Sequence, residues 1–237
     1  MINYRHMRIE VALVFLVFGL TAPIFAQDIW EKPFTQWTKT DVEKIVNNSP
    51  WARTEEERVT VGYGNPPISY KVIVRLRSAL PIRHALVRSN QLNAKYDQMS
   101  VEERVSFDAK TKGLLDCPAC ANNYVISMNS PITRGPGDDV VGVLKDATLP
   151  QLKPYIYLAN DKGERRELIH FATPKVIGDE AMFFFPRLDG KGQPLITNAN
   201  KEFSLYIDPK LFDNRQLPFT RLKFNVSRLL LNGEVAF

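Results

Sequence analysis

Tyr70-Lys71-Val72-Ile73-Val74-Arg75-Leu76-Arg77 is the stretch whose reading decides the fold. Tyr70, Val72, Val74 and Leu76 fall on one side of an extended chain, and Lys71, Arg75 and Arg77 on the other. A period of two predicts a strand with one face on a core and one in water. Ser78 then stands where it can cap a helix opening at Ala79, with Pro81 tolerated in the first turn. Along that helix His84, Arg88, Gln91 and Lys95 recur at helical spacing as a wet stripe. Ile82, Ala85, Leu86, Leu92 and Tyr96 fall on the opposite side.

Upstream, Trp30, Phe34 and Trp37 stud a polar opening. Thr40-Asp41-Val42-Glu43 has the form of a capping box and predicts a helix that ends by Asn48, before Ser49-Pro50-Trp51. Val42, Ile45 and Val46 would line its inner side. Downstream, Ser100-Val101-Glu102-Glu103 predicts a second capped helix running to about Lys112, with Gly113 as its stop. From Tyr124 the character turns to β, with candidate strands at 124–128, 154–159, 167–172, 181–187, 202–207 and 220–228. Asn160-Asp161-Lys162-Gly163, Asp189-Gly190-Lys191-Gly192 and Asn232-Gly233 supply turns between them. A short helix near 139–145 interrupts the series. The expectation is an α+β fold: N-terminal helices with a short sheet over 27–137, then an antiparallel, β-sandwich-like C-terminal half over 138–237. Arg134-Gly135-Pro136-Gly137-Asp138 is the candidate boundary. The terminal Phe237 hints at an outer-membrane barrel, but Asn232-Gly233 breaks that segment and long alternating strands are missing upstream.

Residues 1–26 give an address. Arg5 and Arg8 precede an apolar run from Val11 to Leu20, and Ala26 offers a small residue for cleavage, the pattern of a secretory signal peptide. The run is about half the ~20 residues a permanent span requires. The mature chain would begin at Gln27, be exported to the periplasm or beyond, and carry no stable membrane span.

Net charge is +5, too little to argue for nucleic acid, which an exported protein rarely meets. Distribution says more. Between Arg58 and Tyr96 there is no acidic residue, whereas Lys71, Arg75, Arg77, Arg83, Arg88 and Lys95 are basic. Lys71, Arg75 and Arg77 on the strand, with Arg88 and Lys95 on the next helix, are the candidate binding patch. Its partner would be an anionic envelope component or another envelope protein. The flanking acids Glu55, Glu56, Glu57, Asp97, Glu102 and Glu103 could also neutralise these charges in space, leaving an ordinary solvated face.

Cys117-Pro118-Ala119-Cys120 holds every cysteine of the chain. Outside the cytosol two such thiols oxidise to a disulfide, which here would clip a helix-to-strand corner. The alternative is a thiol–disulfide redox protein. Redox pairs of this spacing follow a strand and open a helix, the reverse of the order predicted here. His84 and His170 are too far apart in sequence to make a zinc set with the cysteines, and Ala121 stands where a haem-attachment motif needs His. No Gly-x-Ser-x-Gly elbow, phosphate-cradling loop or dinucleotide fingerprint occurs. Asp138-Asp139 and Asp179-Glu180 read as caps and hairpin ends. No metal or cofactor is therefore expected.

Phe34-Thr35-Gln36-Trp37, Ser49-Pro50-Trp51-Ala52 and Ser78-Ala79-Leu80-Pro81-Ile82-Arg83, followed by the β-rich half, resemble a group of exported bacterial proteins. The resemblance implies an envelope address and brings no activity or site residue. The sequence thus points to an exported module of the bacterial cell envelope that binds or supports without catalysis.

Overall fold

A computed structural model describes residues 28–59, 68–131, 141–176, 178–212 and 219–237. The expected leader and the boundary at 134–138 lie outside the described residues. Two compact units are resolved, Met1–Lys32 and Pro33–Phe237. The first contains, among its described residues, a 3-10 turn at Ile29–Glu31. The second contains everything that follows.

Its centre is a five-stranded antiparallel sheet. β1 (Ala52–Val59), β2 (Ile68–Leu76), β3 (Asn123–Asn129), β7 (Ala181–Pro186) and β6 (His170–Ala172) lie side by side in that order. β2 is the strand expected from its alternation, but both of its faces are covered: Ile73 and Arg75 are buried as well as Val72, Val74 and Leu76. β1 was not expected, because Arg53-Thr54-Glu55-Glu56-Glu57-Arg58 has no apolar alternation. It forms because β2 offers it a partner, and charge is tolerated at a sheet edge. Glu56 lies directly opposite Lys71 and accepts a 2.6 Å hydrogen bond from the Ser69 hydroxyl. The acidic run thereby balances part of the basic strand.

The second sheet runs β5 (Arg165–Glu167), β4 (Ile156–Asn160), β8 (Glu202–Ile207), β9 (Arg221–Asn225). The single strand expected at 167–172 is thus two strands in two sheets, and the fully buried Leu168 sits at the switch. Leu158, Leu205 and Leu222 align across one face of this sheet, with Phe203 stacked on Phe224 at 5.1 Å. Phe237 makes edge contacts with Tyr124 of the first sheet at 5.2 Å and with Phe203 of the second at 6.0 Å. Asn232 and Gly233, both at positive φ, form the two-residue turn between β10 (Leu230–Leu231) and β11 (Glu234–Val235). The fold is α+β, with helices leading into a mostly β C-terminal half.

The helices depart from expectation in detail. α1 (Lys39–Asn47) is capped by Thr38 with Asp41, two residues before the expected box, because Thr38 is still extended while Thr40 is already helical. α2 (Leu80–Asn93) has Ala79 at its cap; the Ser78 hydroxyl accepts instead from the Val125 amide of β3. α3 (Val101–Asp116) has the expected Ser100/Glu103 box but runs through Gly113 to Cys117, which takes the left-handed conformation at φ 42°. A short helix, α4 (Leu149–Leu152), precedes β4.

One guanidinium ties these layers. Arg75, only 8% exposed, donates from Nε to the Val46 carbonyl near the end of α1 (2.6 Å) and from Nη2 to Asn47 Oδ1 (3.2 Å). Its Nη1 reaches Asn129 Oδ1 of β3 and Glu180 Oε1, each at 2.7 Å. Burial pulls its pKa down and Glu180 pushes it back up, so it stays charged. Removing one partner from a buried, hydrogen-bonded pair costs about 3–5 kcal/mol. Arg75→Ala should therefore lower unfolding free energy by about that much in urea titration. Lys71→Ala, on a half-buried rung of the same strand with no ion pair among the described residues, should change it by at most about 0.5 kcal/mol.

Candidate functional site

The five basic residues singled out in the sequence do not form one solvated patch. Arg75 is the interior tie just described. Arg77 is partly buried and shares the same carboxylate, with Nη1 3.5 Å from Glu180 Oε2. Arg88 was expected on a wet stripe. It is buried, donating from Nε to the Trp37 carbonyl at 3.0 Å and from Nη1 to Gln91 Oε1 at 3.3 Å. The stripe is dry because the Phe34 turn covers it: His84 stacks on the Phe34 ring at 4.4 Å, with Trp37 edge-on. Lys71 is half-buried, and Lys95 is exposed in a left-handed turn after α2.

Cys117 and Cys120 are joined in a disulfide at the corner between α3 and β3. Cys120 is buried, and its carbonyl accepts a 2.8 Å hydrogen bond from Arg187 Nε. Arg83 holds the same corner through the Leu115 and Asp116 carbonyls. Cys117 is the C-terminal cap of a sixteen-residue helix. A thiolate there would face the carbonyl end of the helix, where the dipole opposes negative charge, whereas redox pairs place theirs at the amide end.

Neither the His84 nor the His170 imidazole has a hydrogen-bond partner among the described residues, so among them no acid orients an imidazole beside a nucleophile. His170 is exposed on β6, tilted over Phe184 at 4.8 Å. Among the described residues no group of three or more His, Cys, Asp or Glu is placed to hold a metal ion.

The outer face of the four-stranded sheet carries an arrangement that sequence reading did not single out. Tyr157 of β4 lies opposite Tyr206 of β8, which lies opposite Arg221 of β9. The two rings stack in parallel, 4.7 Å between centroids and 9° between planes. Arg165 of β5 covers the free face of Tyr157 at 4.2 Å, and Arg221 covers that of Tyr206 at 5.2 Å. The result is a layered row of guanidinium, ring, ring, guanidinium across four strands. Beneath it lie Ala159 and Ser204, buried by the groups above; Arg221 Nε donates to the Ser204 hydroxyl at 3.1 Å. Glu202 pairs with both Arg221 (2.8 Å) and Lys223 (3.1 Å), and Glu167 with Lys153 (3.1 Å). Arg165 has no carboxylate partner among the described residues. Stacking on the rings fixes the guanidinium planes at little entropic cost. Such a row offers donors to an acceptor-rich, negatively charged partner. Strand alternation alone would place both tyrosines outward; the register that stacks them needed the structure.

Two outcomes follow from this geometry. Closing a loop as short as the Cys117–Cys120 ring contributes about 2 kcal/mol in the chain-entropy view. Reduction should therefore lower the melting temperature by about 4–8 °C in a calorimetric scan, without abolishing folding. For His84, burial and then the neighbouring Arg83 hold the folded pKa below its ordinary 6.5. The folded state thus prefers neutral imidazole, and stability present above pH 6.5 is lost as pH falls from there through the folded value. His84→Phe keeps the stack on Phe34 and removes the proton. The difference in urea-unfolding free energy, wild type minus variant, should fall between pH 7.5 and 5, both pH values set about the unperturbed pKa of ~6.5.

Comparison with known proteins finds no matching family model, curated protein or solved structure.

Proposed function

We propose that this protein is an exported, non-catalytic binding module of the bacterial cell envelope, and that it docks an anionic envelope component on the outer face of its four-stranded sheet. The Arg165–Tyr157–Tyr206–Arg221 row supports this reading. Aromatic rings and guanidinium groups on the outward face add nothing to the core beneath, which Leu158, Leu205 and Leu222 already fill. A signal-peptide pattern at 1–26 supports the address, and a chain charge of +5 suits a negatively charged partner. Among the described residues no helix is long and apolar enough to cross a membrane. In this reading Cys117 and Cys120 clip a corner, and Arg75, Arg77 and Arg88 hold the interior, leaving contact to the sheet face.

The test is retention of purified protein on anionic envelope fractions. Each cation near an anionic surface is worth about 1 kcal/mol. Arg165→Glu combined with Arg221→Gln should therefore weaken retention by at least about thirtyfold. The melting temperature should move by no more than about 2 °C, since both side chains are exposed. Retention of wild type should fall steeply as salt is raised through the physiological range. Equal retention of the double variant would eliminate this face as the contact surface.

A further inference from the structure

We propose that the cleft between α2, α3 and the Phe34 turn binds a small, uncharged apolar molecule carrying a carbonyl-type acceptor, because Gln91, whose amide nitrogen has no acceptor among the described residues, lines it among apolar walls. The site is separate from the sheet face and independent of it. The cleft has a volume of about 480 Å³, within the range of small-molecule sites. Phe34, Val87, Ala109 and Leu115 supply apolar wall.

The cleft exists because α3 packs loosely. Of its sixteen residues Thr111 alone is buried, while Val101 and Val105 stand 73% and 65% exposed. Without an apolar stripe on α3, the space against α2 is left unfilled.

Gln91 gives the cleft its chemistry. It is 6% exposed and lines the cavity. Its Oε1 is committed, accepting from Arg88 Nη1, which fixes the orientation of the amide. Its Nε2 has no acceptor among the described residues. Small-molecule sites pair apolar walls with a few placed polar groups, and an occupant bringing an acceptor would take this donor from water. The Thr111 hydroxyl does not compete, since it donates to the Phe107 carbonyl at 3.0 Å.

Charge at the mouth selects against anions. Lys112 is paired with Asp116 at 2.6 Å, while Asp108 accepts from the Tyr96 hydroxyl at 2.9 Å and has no ion-pair partner among the described residues. A carboxylate entering here would meet an uncompensated negative charge; an amide or ketone would not. Apolar walls, one two-proton donor and a negative rim together specify a neutral molecule with a hydrophobic body and a carbonyl.

Isothermal titration of the full mature chain with three matched probes tests this. 4-Phenylbutanamide should bind, with 4-phenylbutanoate and propylbenzene each at least about tenfold weaker, the value of one neutral hydrogen bond at the upper end of its range. Gln91→Met keeps the shape and removes the donor, so it should reduce the amide to the affinity of propylbenzene. Leu115→Trp, at a half-buried wall, should fill the cleft and abolish binding of all three even if the Gln91 variant fails to fold. No binding of the amide at millimolar concentration, equal binding of the carboxylate, or amide binding that survives Leu115→Trp would each overturn the proposal.

Discussion

A buried guanidinium holds this fold together. Arg75 sits in the middle of the five-stranded sheet and is bonded to the end of α1, to β3 and to the residue that precedes β7. Removing such a group from water is costly, and only a full set of acceptors offsets that cost. Four acceptors from three parts of the chain must therefore arrive together. Apolar contacts tolerate sliding, but this constellation does not. It sets where α1 lies on the sheet and which turn of chain leads into β7. Glu180 also meets Arg77, so one carboxylate compensates two cations and limits how far the basic strand repels itself.

Much of the architecture was legible because local physics writes it. The alternation in β2 lies in its own consecutive side chains, and the Ser100/Glu103 box of α3 and the Asn232-Gly233 turn are formed within a few residues. What escaped reading depends on partners far along the chain. β1 is charged throughout and becomes a strand only because β2 lies beside it. Arg88 follows a helical stripe that looks wet, yet the Trp37 carbonyl, 51 residues away, lets it lie in the interior. Arg75 alternates with apolar residues as a solvated cation would, and nothing near it in sequence announces Glu180. The rule that charge means water fails wherever a distant acceptor is waiting.

The candidate surfaces were legible to different degrees for the same reason. Cys117 and Cys120 bond within four residues of chain, so their pairing could be read directly. Tyr157 and Tyr206 could be placed outward from strand periodicity, but the register that stacks them is a property of two strands 49 residues apart. The cleft beside Gln91 is further still from the sequence, since it is defined by what α3 does not fill. Positive features of a chain show in its letters; empty space does not.

The order of strands has a kinetic consequence. β3 pairs with β2 on one side, but its other neighbour is β7, more than fifty residues later, and between them the chain builds β4 and β5 for a different sheet. A segment ending before Glu180 has an open sheet edge, and Arg75 lacks its carboxylate. Loop closure over that distance must precede any reward from pairing, which makes nucleation slow and late. A polypeptide emerging N-terminus first stays pliable until most of its length is available, and then gains sheet and ion pair in one cooperative step.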